Sequence, residues 1–326
     1  MNSPAVTGHR IVTLCMNPAL DITTSTDVVH PTDKLRCAAP RYDPGGGGIN
    51  VAHVAAVLGA DTTAVFPAGG PAGELVNGLL VAEGLPVRRV PIGGSTRESI
   101  TVNELRTGKQ YRFVLPGPAL TVAEQAQCLL QMRRAAAAAA IVVASGSLPP
   151  GVPEDFYQQV ADVCDEIGAI FILDASGGGL RHVHSGVFLL KPSLRELREC
   201  VGAELDTESE QVAAARNMIG RGAARHVLVS LGAAGAMLVS RDGAARFAPV
   251  PVPPGSGVGA GDAMVAGVAV GLTRGWTLVE SVRLGVAAGA AMLLTPGTAP
   301  CTREDTERLF GQTDQPMDIE PDPESA

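Results

Sequence analysis

Short apolar runs alternate with helix-length segments along most of this 326-residue chain. Ile11–Cys15, Thr62–Phe66 and Val87–Pro91 are such runs, and others fall near 140–144, 169–173, 187–190, 226–230 and 235–240. Their length and flanking turn residues predict strands. Between them apolar residues recur every three or four positions. Val51, Val54, Ala55 and Leu58 trace one face of a helix from Asn50 to Leu58, closed by Gly59. Similar segments predict helices near 72–83, 121–138, 153–167, 193–201 and 207–221, with two late ones at roughly 260–274 and 278–294. Strand and helix in alternation point to an α/β fold with a mostly parallel sheet.

Residues 99–114 break this rhythm. Ile100 and Val102 alternate with polar neighbours, as do Tyr111 and Phe113, and Thr107-Gly108 separates the two runs. That is a hairpin signal with one polar face. Such a hairpin has no place in a parallel sheet, so a flap or lid outside it is expected. Asp21–Ala39, also polar and strand-like, is expected to pair with it, and Pro40–Gly48 reads as a loop.

Composition sharpens the picture. Hydrophobic residues make up 46% of the chain but aromatics only 3%, so the core must be built from Ala, Val, Leu and Gly. Small residues suit helices lying close on a sheet. A net charge of −8 argues against a broad nucleic-acid or anionic-membrane surface. Part of that charge is local: Asp314, Asp318, Glu320, Asp322 and Glu324 follow Gln312 with no basic residue among them. Residues 313–326 are therefore expected to be a disordered acidic tail. Lys occurs only at 34, 109 and 191, which makes each one worth attention. The six cysteines are scattered without a C-x-x-C pair, as in a reduced protein. Met1–Arg10 has no apolar leader, and no run approaches 18 apolar residues, so a cytoplasmic protein is expected.

Four segments carry chemistry. Gly257-Val258-Gly259-Ala260-Gly261-Asp262 runs directly into an apolar helix. Glycines at a helix start leave N–H groups pointing at whatever binds there, and the dipole favours an anion. Asp262 is, on its own, as readable as a helix N-cap as a base. Gly45-Gly46-Gly47-Gly48-Ile49-Asn50 opens another helix and permits close backbone approach to a ligand. Ala144–Gly151 contains Ser145 and Ser147 at the carboxyl end of a strand, where ligands of open α/β sheets collect. Lys191-Pro192-x3-Glu196 follows a strand; Glu196 is there either a first-turn helix residue or a carboxylate toward Mg²⁺. Neither a Walker A motif nor G-x-G-x-x-G is present.

These segments, with Asn17-Pro18-Ala19-Leu20-Asp21 and Ser230-Leu231-Gly232-x2-Gly235, stand in the order found in the PfkB (ribokinase-like) family of carbohydrate kinases, which the chain resembles over about residues 10–310. The resemblance implies a three-layer α/β/α core with a small β-sheet lid. It implies one kinase domain over 1–312, with the lid drawn from about 18–42 and 95–116. It also implies a homodimer formed through the lid, ATP and Mg²⁺ as cofactors, and leaves a monovalent cation such as K⁺ open.

Carried over by position, Asp262 would be the catalytic base, with Gly259, Ala260 and Gly261 forming an anion hole. Asp21, Gly45, Gly46, Asn50 and Ser147 would hold the sugar, and Lys34, Arg97 and Arg112 its phosphate. Lys191, Ser193, Glu196, Ser230, Gly232, Gly235, Val286 and Ala290 would line the nucleotide, Glu196 also reaching Mg²⁺ through water. The strings Lys34–Pro40, Pro44–Asn50 and Gln110–Phe113 resemble family members acting on fructose 6-phosphate. Tagatose 6-phosphate and fructose 1-phosphate are the alternatives, and Gly47, where kinases of fructose 1-phosphate tend to carry Lys, leans against the latter. Ser193, Gly257 and Ala290 depart from the pattern, all on the ATP side. These departures suggest a rival of another class, a weakly catalytic sugar-phosphate sensor.

Overall fold

The computed structural model describes residues 10–137, 141–295 and 299–320. The chain opens with β1 (Arg10–Leu14), β2 (Ala19–Thr26), β3 (Arg41–Gly45), α1 (Gly47–Val57), β4 (Asp61–Ala68), α2 (Gly70–Ala82) and β5 (Val87–Pro91). It continues through β6 (Arg97–Glu104), β7 (Gln110–Val114), α3 (Val122–Ala136), β8 (Ile141–Ser145), α4 (Phe156–Ile167), β9 (Ile170–Asp174) and α5 (Gly178–Arg181). The last part comprises β10 (Val187–Leu190), α6 (Leu194–Val201), α7 (Glu208–Gly220), β11 (Ala224–Ser230), β12 (Ala236–Val239), β13 (Ala244–Phe247), α8 (Ala260–Thr273), α9 (Leu278–Met292), α10 (Arg303–Phe310) and β14 (Met317–Ile319).

Ten strands form one sheet in the order β14-β13-β12-β11-β10-β9-β8-β1-β4-β5. From β5 to β11 all pairings are parallel; β12, β13 and β14 add an antiparallel end. The pleat sends alternate side chains to opposite faces. Val12 and Leu14, Val142 and Ala144, Phe171 and Leu173 pack with α3, α4 and α7. Ile11, Ile141, Val143 and Ile172 pack on the other side with α1, α8 and α9. The expected α/β/α class is the observed one.

The low aromatic content has its counterpart in the α8–α9 seam. Both helices are apolar nearly all round and buried. They approach through glycine: a Cβ on Gly267 would lie 2.7 Å from the Gly285 Cα. Thr277 and Glu280 cap α9 reciprocally, which fixes where it starts.

A second sheet, in the order β3-β2-β6-β7, forms the lid. The β6–β7 hairpin is antiparallel, and β2 pairs β6 in parallel. Register places Tyr42, Ile22, Ile100 and Phe113 in one row on one face. The next row, Asp43, Asp21, Ser99 and Val114, faces the other way.

Several expectations need correcting. The strand after Asp21 stops at Thr26, and residues 27–40 form an irregular, largely exposed loop. Arg41–Gly45, read as loop, is the edge strand β3; Pro44 is compatible with it because an edge strand leaves one side unpaired. Helix α1 starts at Gly47, three residues early. A Cβ on Gly48 would lie 2.6 Å from the Leu14 carbonyl oxygen, so the glycines are the helix's close contact with β1. The acidic tail is not structureless as far as residue 320: Met317–Ile319 pair with the outer edge of β13. Its charges suit an edge strand, where alternate side chains meet solvent. Residues 321–326 lie outside the described residues.

Candidate active site

The carboxyl ends of β1, β8, β9 and β10 open on the same side of the sheet, where α1 and α8 begin. Gly259 takes the N-cap position of α8 in the left-handed region, φ 78°, without a side-chain cap. Asp262 therefore lies inside the first turn and is free of the capping role. Its carboxylate turns to the sheet instead. Asn50 Nδ2 donates to Oδ2 at 2.9 Å, and Ser145 Oγ donates to Oδ1 at 2.9 Å. Burial pushes the Asp262 pKa up; the hydrogen bonds from Asn50 and Ser145 and the charge of Lys191 oppose that rise without cancelling it. The N–H groups of Gly261 and Asp262 precede the first closed turn, so they have no intrahelical acceptor.

Beneath this turn lies a buried ion pair, Lys191 Nζ to Asp174 Oδ1 at 3.1 Å. A Cβ on Gly261 would stand 3.4 Å from that ammonium. Burial raises Asp174 to about 6, against the pull of Lys191. Burial alone would lower Lys191, but Asp174, Glu196 and Asp262 outweigh it and hold it above its ordinary value.

On the lid side, Asp21 sits where Gly45 passes so close that any side chain would overlap its carboxylate. Burial raises Asp21 to about 6, with Arg97 and Arg112 drawing it partly back. Arg97 donates to the Asn17 carbonyl from Nη2 at 3.1 Å and Nε at 3.3 Å. Gly46, φ 112°, needs to be glycine twice over, since a Cβ would also lie 2.6 Å from Cys15 Sγ. Ser147 accepts from Asn17 Nδ2 at 3.2 Å. A cleft of about 440 Å³ separates Asn103, Gln110 and Arg112 of the lid from the 255–258 loop.

The residues expected near the nucleotide also cluster. Ser193 and Ser230 bridge in parallel, and Ser230 N donates to the Pro192 carbonyl at 3.0 Å. Gly232 and Gly235 form the short 3₁₀ turn that follows. Glu196 forms a capping box with Ser193: its Oε2 accepts from Ser193 N and Oγ, each at 2.8 Å. The first-turn reading of Glu196 thus describes one of its oxygens, leaving Oε1 outside the cap. Val286 is buried on α9, with Ala290 half-buried one turn on.

Lys34 is the exception among the expected site residues. It stands in the exposed 27–40 loop with no hydrogen bond or ion pair in its own chain among the described residues. The reading of the motifs named Ser145 in a strand-end turn but gave it no role, and passed over Asp174. Each ends an apolar strand on a polar residue, which was the available signal.

A mostly parallel sheet, a second small sheet and a carboxylate at a helix start make a site suited to an anion beside a proton acceptor. Residues 15–305 match the pfkB family carbohydrate kinases, and the chain belongs to that family. It is 65% identical over 310 residues to the ATP-dependent 6-phosphofructokinase isozyme 2 of Mycobacterium tuberculosis, covering 95% of this chain and 91% of the relative. The Escherichia coli isozyme 2 is 41% identical over 303 residues, covering 92% and 98%. The crystal structure of Escherichia coli phosphofructokinase-2 in complex with potassium superposes with a TM-score of 0.89 at 41% identity, covering 93% and 98%. The same relative is known in a tetrameric inhibited form, TM-score 0.87 at 40% identity with the same coverage.

Proposed function

We propose that this protein is an ATP-dependent 6-phosphofructokinase, transferring the γ-phosphoryl group of ATP to the 1-hydroxyl of fructose 6-phosphate in the cytoplasm. The observation that carries the reading is Asp262, half-buried and oriented by two donors at the start of α8, with Arg97 and Arg112 on the lid. The 65% identity to a 6-phosphofructokinase supports the choice of sugar.

In this reading Asp262 takes the proton of the sugar hydroxyl as that oxygen attacks the γ-phosphorus in line and ADP leaves. A positioned base is worth roughly 10²–10⁴-fold. The first-turn amides of α8 meet the charge on the transferring group, a contribution of roughly 10²–10³-fold per donor. Asp21 and Asn50 orient the sugar. Arg97 and Arg112 receive its phosphate, which brings nearly two negative charges. Lys191, Ser193, Ser230 and the Gly232–Gly235 turn line the nucleotide phosphates.

Among the described residues no cluster of three acidic, His or Cys side chains forms a metal cage. Glu196 keeps its Oε1 outside the capping box, and one carboxylate with water and substrate phosphates is a usual donor set for Mg²⁺. Glu196 would hold it through water, and the ion would neutralise phosphate charge. A monovalent cation is carried over from the relative crystallised with potassium.

The lid supports a homodimer. Tyr42 and Phe113 are 43% and 54% exposed at the ends of an apolar row, and the 27–40 loop projects Lys34 away from its own chain. A second copy would cover the row.

The test is ADP release with Mg-ATP across fructose 6-phosphate, tagatose 6-phosphate and fructose 1-phosphate, with Asp262→Asn beside the native protein. Turnover selective for fructose 6-phosphate and reduced about 10²–10⁴-fold in the variant is expected. Equal turnover by both proteins removes Asp262 as the base. A different preferred sugar reassigns the substrate. Sugar binding without turnover by the native protein makes it a sensor.

A further inference from the structure

Ser145 is the last residue of β8, and the pleat sends it to the same face as Ile141 and Val143, toward α1 and α8. It is 1% exposed. Its hydroxyl has little freedom: any side chain on Gly47, at the start of α1, would overlap Ser145 Oγ. From this slot Oγ donates to Asp262 Oδ1 at 2.9 Å, while Asn50 on α1 donates to Oδ2. Three elements distant in sequence thus fix one carboxylate: α8 carries it, and β8 and α1 each hold one oxygen.

We propose that Ser145 is a positioning residue that, with Asn50, holds the Asp262 carboxylate in the plane from which it takes the sugar proton. This deepens the kinase reading and rests on it for the identity of the proton donor. Asn50 is placed at the sugar as well, whereas Ser145 has one described partner, Asp262. A hydrogen bond donated to a carboxylate favours its charged form, and here it acts against burial. The charged groups acting on Asp262 are Lys191, beyond the end of β10, Asp21 on β2, and Asp174 on β9 paired with Lys191. None of these supplies the contact at Oδ1. Without the hydroxyl, Oδ1 loses its donor, the carboxylate is held at Oδ2 alone and it binds its proton more tightly.

Ser145→Ala is the test, read in two ways. In steady-state kinetics with fructose 6-phosphate, kcat is expected to fall about 10-fold or more, the worth of a charge-assisted hydrogen bond. KM for the sugar is expected to stay within about twofold, since its hydroxyl and phosphate partners are untouched. The acid limb of the kcat–pH profile is expected to move to higher pH, with the melting temperature little changed. The second reading needs no substrate. The ¹³C carboxyl resonance of Asp262, assigned by its loss in Asp262→Asn, is titrated in the native protein and in Ser145→Ala. A midpoint at higher pH in the variant supports the role; coincident titrations overturn it, as does a kcat within twofold of native. A loss of kcat with an unmoved acid limb and a lower melting temperature reduces Ser145 to a packing residue. If native protein turns over no sugar phosphate, the kinase reading fails on its own, and the titration still decides Ser145.

Discussion

Asp21→Asn should make the protein more stable and less active, and the gain in stability should depend on pH. Burial lifts the Asp21 carboxyl from 3.8 to about 6, so the folded chain resists ionising it. At about 1.36 kcal/mol per pKa unit, the penalty for carrying that charge is about 3 kcal/mol at pH 7 and above. A raised carboxylate binds its proton more tightly folded than unfolded, so stability falls as pH rises through the interval between the two values. The penalty is full above about pH 6 and gone below about pH 4. Asparagine keeps the shape against Gly45 without carrying the charge, and the opposing pull of Arg97, Arg112 and Ser99 is already contained in the raised value. A net gain of about 3 kcal/mol at pH 7.5 follows. With about 2.1 cal/mol/K per residue over 326 residues, that is a rise in melting temperature of about 4 °C. Calorimetry of both proteins at pH 7.5, 6 and 4.5 measures it. The gain should shrink steadily toward the lowest pH, while kcat/KM for fructose 6-phosphate falls at pH 7.5. A variant less stable at pH 7.5, or a difference that is flat with pH, refutes the assignment of a buried, costly charge at Asp21.

Gly267→Ala should destabilise the α8–α9 seam by about 1–3 kcal/mol, because its Cβ would press on the Gly285 Cα at 2.7 Å; thermal denaturation reads it, and an unchanged midpoint means the helices can separate at little cost. Phe113→Asp should dissociate the proposed lid-to-lid dimer, seen by sedimentation velocity, and raise the sugar KM if the lid is then poorly held. A native protein that sediments as a monomer removes the dimer at once.

The inner strands of the central sheet were legible because they are apolar on both faces: β10 falls on the predicted residues 187–190, and β8 and β9 lie one residue from 140–144 and 169–173. Of the edge strands, β5 was read at 87–91, while β3 and β14 were not. In β3 and β14 stability comes from backbone pairing with a neighbour already in place, and side chains such as Arg41, Asp43 and Asp318 carry no strand signal. Helix α1 began early for a related reason: a tract of glycine looks like a loop until the strand pressed against it is known. Asp262 stood out within its glycines, yet base and cap were equally readable there. The distinction lies in Asn50 and Ser145, which are 212 and 117 residues away in sequence. Glu196 shows the converse. Its capping box with Ser193 is local, so the bland reading was the legible one.

The parallel topology explains why this chemistry gathers where it does. Strands β1, β8, β9 and β10 all run the same way, so Cys15, Ser145, Asp174 and Lys191 arrive at one edge whatever happens between them. Helices α1 and α8 start at that edge, and the first N–H groups of a helix have no partner within it, which makes it a place for anions. The carboxylates Asp21, Asp174 and Asp262 are the anomaly in such a field, and burial raises the pKa of each. Lys191 and the lid arginines oppose that rise at two of them, and two donated hydrogen bonds oppose it at the third. In the proposed reading the sugar's phosphate meets Arg97 and Arg112, where it competes with Asp21 for the same positive charge, while its hydroxyl meets the Asn50–Asp262–Ser145 arrangement. On that reading the two ends are separately supported, one by arginines on the lid strands and the other by α1, α8 and β8 of the core.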